Sequence, residues 1–246
     1  MSEIAIIGGT GLTSLKGLEI TRREMVRTPF GEPSGPLTFG TFSGHEVVFL
    51  ARHGYGHTIP PHRVNYRANM WALRETGVKY IIAVAAVGGI AENLTSAKLA
   101  FPDQIIDYTW SRVNTFFEEG LSRVVHIDFT EPYSKELRGK LVTAARKANL
   151  DAVESGTYGA TQGPRLETAA EIKRLEQDGC TMVGMTGMPE AALARELEIC
   201  YATCAVIANK AAGKAEGIIT MEEIESCLTA GMEKVRTLLE TVIPEL

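Results

Sequence analysis

The sequence predicts an α/β fold in which helices cover both faces of a mixed central β-sheet. Three observations lead there. Short β-branched runs alternate along the chain with longer stretches of helical period. Two of the runs, 79–87 and 199–208, are almost continuously apolar, as strands buried on both faces are. No internal repeat, low-complexity tract or linker interrupts the order, so the 246 residues, 45% hydrophobic and 22% charged, are expected to form one α/β/α domain spanning 1–246.

The first strand, 4–7, runs into the glycine turn Gly8-Gly9-Thr10-Gly11, where exposed backbone N–H groups can hold an anion. A dinucleotide fingerprint on Gly9-x-Gly11 would need a third glycine where Ser14 stands, and no acidic residue closes a second strand at the right distance. What remains is a phosphate-sized turn with Thr10 at its centre, or a plain structural turn. Strands follow at 46–51, 79–87, 103–108, 181–185 and 199–208. Helical period marks 64–76, 134–148, 165–178 after the Gly163-Pro164 turn, and 189–197 after Pro189. The last helix, 220–241, opens on a capping box of Thr220 and Glu223. The pattern leaves the strand order open.

Four of the five histidines, His45, His53, His57 and His62, fall within eighteen residues, beside Arg52, Arg63 and Arg67 and with almost no acid. In a chain of net charge -5 this is a local anion trap directly after a strand, where α/β proteins present ligand groups. The spacing His53-x3-His57-x4-His62 raises a metal site. Scarce carboxylates and three opposing arginines argue against it. An oxyanion held bidentately by Arg52 with His53 beside it is the simpler account, because a guanidinium matches two phosphate oxygens at once. His45 and His62 read as surface or packing residues.

The balance of charge excludes other classes. Lys and Arg are scattered outside 52–67, which argues against a nucleic-acid or anionic-membrane surface and favours a small anionic ligand. The start MSEIAIIGG lacks a basic n-region and no run is long enough to span a bilayer, so a cytoplasmic protein is expected. Cys180, Cys200, Cys204 and Cys227 lie in apolar contexts without CxxC spacing and read as reduced thiols.

IIGGTG (6–11), TPFGEPS (28–34), ARHGYGHTI (51–59), VNYRANMWAL (64–73), QGPRLETAAE (162–171), MTGMPEAALARE (185–196) and ANKAAG (208–213) run from end to end of the chain. In order and spacing they resemble the methylthioadenosine phosphorylases of the trimeric purine nucleoside phosphorylase superfamily. The resemblance implies phosphorolysis, in which inorganic phosphate attacks the anomeric carbon of a purine nucleoside and releases the base and a ribose 1-phosphate. It implies no metal, no organic cofactor and no covalent enzyme intermediate; phosphate is a co-substrate. It also implies a homotrimer, with His126 of VVHIDFTEPY matching a position that reaches a neighbouring subunit's active site.

By matching position, Thr10, Arg52, His53 and Thr186 resemble the family's phosphate ligands, with the backbone of Ala85 and Ala86 completing the cradle at the end of strand 79–86. Met185 resembles the residue packed against the ribose. Where the methylthioadenosine enzymes carry a threonine, this chain has Ala85, at a cost of about 1 kcal/mol in one lost hydrogen bond.

The base site departs further. Aspartates end the corresponding strand in the methylthioadenosine enzymes, and Asn209-Lys210-Ala211 stand here. An amide can donate to a purine O6 and accept from N7–H together, whereas a carboxylate only accepts. Glu167, where the resemblance shifts toward enzymes acting on inosine and guanosine, would accept N1–H of a 6-oxopurine and oppose the N1 lone pair of adenine. Asn209, Glu167 and His53 are therefore the expected catalytic residues. The plain alternatives are a first-turn helix acid for Glu167 and a strand-ending cap for Asn209. Leu166 puts an aliphatic wall where relatives carry a phenylalanine. At the sugar's 5′ end, Met221 replaces a histidine that binds the 5′-hydroxyl, and Ile224 extends an apolar patch suited to an S-methyl group; on pattern alone Met221 could equally face the core.

Together these features lead to the expectation of phosphorolysis of S-methyl-5′-thioinosine to hypoxanthine and 5-methylthioribose 1-phosphate. The alternatives are a methylthioadenosine or an inosine/guanosine phosphorylase, a nucleosidase that uses water, and a non-catalytic nucleoside-binding module. The phosphate-ligand pattern argues against the nucleosidase.

Overall fold

In the computed structural model, which describes residues 2–246, the chain runs through β1 (Ile4–Gly8), β2 (Glu19–Glu24), β3 (Leu37–Phe42), β4 (His45–Ala51), α1 (Tyr66–Glu75), β5 (Tyr80–Gly89), β6 (Leu99–Ala100), β7 (Gln104–Asp107), α2 (Lys135–Lys147), β8 (Ala152–Val153), β9 (Thr157–Ala160), α3 (Ala169–Gln177), β10 (Met182–Gly184), α4 (Gly187–Glu196), β11 (Cys200–Lys210) and α5 (Met221–Val242). The strands join in one mixed sheet with the path β2-β3-β4-β1-β5-β10-β9-β7. β11 pairs with β5 in parallel and carries β6, which in turn carries β8.

The two strands expected to be central are so. β5 is flanked at its start by β1 and β11 and at Gly88–Gly89 by β10 and β11, so three strands meet on it. That junction explains a glycine: a Cβ on Gly88 would sit 3.2 Å from Val183 Cγ1, tighter than ordinary packing. β11 follows β5 until a register shift between Ile207 and Asn209 leaves Ala208 unpaired. Bulges of this kind re-aim side chains, and here they turn Ala208 and Asn209, consecutive in sequence, to one cavity.

Period-two alternation divides the core. In β1, Ala5 and Ile7 join Tyr66, Met70 and Leu73 of α1 and Leu193 of α4 on one face of the sheet. Ile4 and Ile6 join Leu137 and Leu141 of α2 and Leu228, Val235 and Leu238 of α5 on the other. Three layers result, as the sequence pattern predicts. Among the described residues no helix is long and apolar enough to cross a membrane, and all four cysteines are free thiols.

Two local differences from the sequence expectation bear on function. The helix expected from 165 begins at Ala169, capped by Thr168 and Glu171, so Glu167 lies in the preceding loop and is not a first-turn acid. β5 continues to Gly89, which puts Ala85 and Ala86 inside the strand, not at its end. The hairpin partners β2 and β3 escape a reading by period. β2 (EITRRE) is exposed at every residue on the sheet's edge and shows no buried face to alternate against.

Candidate active site

A cavity of about 580 Å³ opens where the carboxyl ends of β1, β4, β9, β10 and β11 converge beside Ala86–Gly88 of β5. This is the crevice in which an open α/β sheet presents ligand groups. Its lining divides into a polar corner, a middle at Met185, an end that carries Glu167 and Asn209, and an apolar end.

Thr10, His53, Ala86 and Thr186 line the polar corner. Thr186 directly precedes α4 and its hydroxyl makes no capping bond; the backbone is extended at Met188, so the regular helix runs from Pro189, as the sequence predicts. The Nδ1–H of His53 donates to the carbonyl of Ile59 at 2.8 Å, which directs the Nε2 lone pair elsewhere. Burial, and then the positive charge of Arg52, push the His53 pKa down to about 4, so the ring is neutral at neutral pH. Thr10 Oγ1 and His57 Nε2 are 3.0 Å apart, which brings His57 into the wall.

Arg52 departs from the expected bidentate grip on an oxyanion. It is 1% exposed and does not line the cavity. Its Nε and Nη2 donate to Oε2 and Oε1 of Glu190, each at 2.7 Å, and Nη1 donates to the carbonyl of Val84 at 3.0 Å. Burial alone would lower the Arg52 pKa; the Glu190 carboxylate reverses this and the net shift is upward. The fork is thus occupied from within the protein. Ala85 likewise turns into the core and leaves only Ala86 at the wall.

Met185 forms the middle of the cavity. Its backbone is held by Arg112, which the sequence reading missed. Nη1 of Arg112 donates to the carbonyls of Met185 at 2.8 Å and Met188 at 2.6 Å, while Nη2 donates to Gln162 O at 2.9 Å and Thr161 O at 3.2 Å. One guanidinium therefore ties the loop after β10 to the loop after β9. Its Nε donates to the side-chain Oε1 of Gln162 at 3.1 Å. Nothing in the local sequence signals the clamp, since its acceptors, mostly main-chain carbonyls, are distant in the chain.

At another end of the cavity stand Glu167, Asn209, Ala211 and Leu166. Thr161 donates its hydroxyl to Glu167 Oε1 at 2.6 Å. Asn209 donates one Nδ2 hydrogen to Lys210 O at 2.7 Å, which leaves Oδ1 and the other N–H to serve a ligand. Lys210 does not join them. Its Nζ donates to the carbonyls of Ala91 at 2.9 Å and Glu92 at 3.0 Å, away from the cavity, because the strand's alternation sends neighbours to opposite sides.

The apolar end is made by Met221 and Ile224 of α5 with Ile59, Pro60 and Ile219. Met221 is 62% exposed, so it does not face the core. His126 is exposed and does not line the cavity of its own chain. Among the described residues no cluster of three His, Cys, Asp or Glu side chains could hold a metal ion.

The sequence profile described as the phosphorylase superfamily matches residues 3–244. A probable S-methyl-5′-thioinosine phosphorylase of Pseudomonas syringae pv. tomato is 54% identical over 243 residues, covering 99% of both chains. A 6-oxopurine nucleoside phosphorylase of Pyrococcus furiosus is 47% identical over 249 residues, covering 99% of this chain and 93% of the relative. Among solved structures, a methylthioadenosine phosphorylase from Schistosoma mansoni in complex with adenine is similar with a TM-score of 0.95 and 31% identity, over 100% of this chain and 92% of that one.

Proposed function

Because the chain belongs to the phosphorylase superfamily and is a nucleoside phosphorylase, a pentosyltransferase, we propose that its nucleoside is S-methyl-5′-thioinosine, cleaved by phosphate to hypoxanthine and 5-methylthioribose 1-phosphate in purine salvage. The observation that carries this reading is the pairing of two unlike ends in one cavity. Glu167 and Asn209 form a base end that matches a 6-oxopurine, and Met221, Ile224 and Ile59 form a 5′ end without a hydroxyl partner. The relatives named S-methyl-5′-thioinosine and 6-oxopurine nucleoside phosphorylases support the same base.

In this reading a phosphate oxygen forms the bond to C1′ as the C1′–N9 bond breaks and its electrons pass to the purine. Positive charge grows on the ribosyl ring and negative charge on the base, so stabilising both accelerates the step. Thr10, His53, Thr186 and the strand edge at Ala86 hold phosphate, with the charge of Arg52 beneath them. Neutral His53 offers Nε2 as an acceptor for a protonated phosphate oxygen. Glu167 accepts N1–H through Oε2, and Asn209 donates to O6 and accepts from N7 once the leaving base takes a proton there. Met185 packs against the ribose. The protein is then a cytoplasmic homotrimer in which 1–246 act as one domain. The exposed apolar side chains of Leu121, Val124 and Val125 beside His126 support a subunit contact at that segment.

The test is base release with and without phosphate, compared for S-methyl-5′-thioinosine, methylthioadenosine, inosine and guanosine. The expected order puts S-methyl-5′-thioinosine first. Preference for methylthioadenosine would sink the Glu167 and Asn209 argument, and preference for inosine would sink that from Met221.

A further inference from the structure

Glu190 is the most deeply buried carboxylate of the site region, at 0% exposure, yet it touches no part of the cavity. Besides the two bonds from Arg52 it accepts one from the hydroxyl of Tyr201, 2.8 Å from Oε1. A buried ion pair is weak evidence of stabilisation, because desolvating two charges offsets most of their attraction. Its effect here is geometric. Arg52 directly precedes His53 after β4, Glu190 lies in the first turn of α4 after Thr186, and Tyr201 lies at the start of β11, so the two elements that carry His53 and Thr186 are fastened through Glu190 to the start of a central strand.

The fork of Arg52 could face outward only if Glu190 released it. As it stands, the Nη1 edge lies under the glycine turn, 2.9 Å from where a Cβ on Gly9 would sit, one residue before Thr10. We infer that Glu190, held by Tyr201, is a positioning residue for phosphate: it fixes the Arg52 guanidinium edge-on beneath the Gly9-Thr10 turn and thereby sets the affinity for the nucleophile. The inference rests on the phosphorylase reading and adds to it two residues that contact no substrate.

The experiment measures inorganic phosphate binding by titration calorimetry, and separately the KM values of phosphate and nucleoside. Tyr201→Phe removes one bond to Glu190 and is expected to raise the phosphate Kd about 3- to 10-fold with the nucleoside KM nearly unchanged. Glu190→Gln removes the charge-assisted fork that orients the guanidinium, and a phosphate Kd shifted by more than Tyr201→Phe shifts it, with the nucleoside KM nearly unchanged, is expected. Should that variant fail to fold, Tyr201→Phe alone decides. In an Arg52→Lys background the effect of Tyr201→Phe is expected to vanish, because the fork it orients is gone. A phosphate Kd unmoved by Tyr201→Phe, or a nucleoside KM raised as much as that for phosphate, overturns the inference. Base release by the wild type that is indifferent to phosphate would instead overturn the phosphorylase reading, whatever the variants bind.

Discussion

The hydroxyl of Thr161 donates to Oε1 of Glu167 at 2.6 Å, so one carboxylate oxygen is anchored and the other is left to a ligand. Thr161 is the first residue after β9, and Glu167 lies six residues on, in the loop before α3. A loop carboxylate without such an anchor would lose part of its binding energy to side-chain ordering. Thr161→Val is therefore expected to lower kcat/KM for the 6-oxopurine nucleoside about tenfold, as for one charge-assisted hydrogen bond. Steady-state rates on S-methyl-5′-thioinosine check it. An unchanged rate would mean that Glu167 is oriented by other contacts.

Base choice follows from donors and acceptors. With Asn209→Asp and Glu167→Gln together, the base end accepts from an exocyclic amine and donates to N1, the pattern adenine needs. The ratio of kcat/KM for methylthioadenosine over S-methyl-5′-thioinosine is expected to rise by about two orders of magnitude, within the range such mismatches command. Competition assays on the two nucleosides measure it directly, and a ratio that stays put locates the choice elsewhere.

The 5′ end gives an independent handle. Met221 is half out of the wall at the first residue of α5, where a histidine fits without disturbing the core. Met221→His is expected to raise the rate on inosine relative to S-methyl-5′-thioinosine about tenfold, through a hydrogen bond to the 5′-hydroxyl. Equal relative rates before and after would show that Ile59, Ile219 and Ile224 set the preference.

The buried neutral His53 also leaves a pH signature in stability. Its folded pKa is lowered from 6.5 to about 4, so between those values the unfolded chain binds the proton and the folded one does not. Stability from this residue is thus complete above about pH 6.5 and is lost as pH falls toward 4, by at most about 3 kcal/mol. Denaturant midpoints for wild type and His53→Asn across that window are expected to differ in slope, the variant being flatter. Parallel slopes would place the acid sensitivity in other groups.

Much of the site was legible because chemistry that must meet substrate needs particular side chains at strand ends. Thr10, His53, Thr186, Met185, Glu167, Asn209 and Met221 were all marked by motif and all line one cavity. Of the four marked residues that do not line it, Ala85 packs in the core and His126 is exposed elsewhere on the chain, and the two long cations share a cause. Arg52 and Lys210 have the right charge but not the right direction, since long side chains reach whichever partner the fold offers, Glu190 for one and the carbonyls of Ala91 and Glu92 for the other.

By itself, then, the sequence determined the layered α/β class, the two central strands and the capping box of α5, because period and capping are local properties of the chain. It also singled out, through the family resemblance, Glu167, Asn209 and Met221, which line one cavity. Only the tertiary structure decided the strand order, the bulge that turns Asn209 inward, and the partners of Arg52, Arg112 and Glu167. Those depend on contacts between residues up to 138 positions apart. No local pattern encodes which buried carboxylate a guanidinium will meet; burial makes the pairing obligatory, and packing selects the partner.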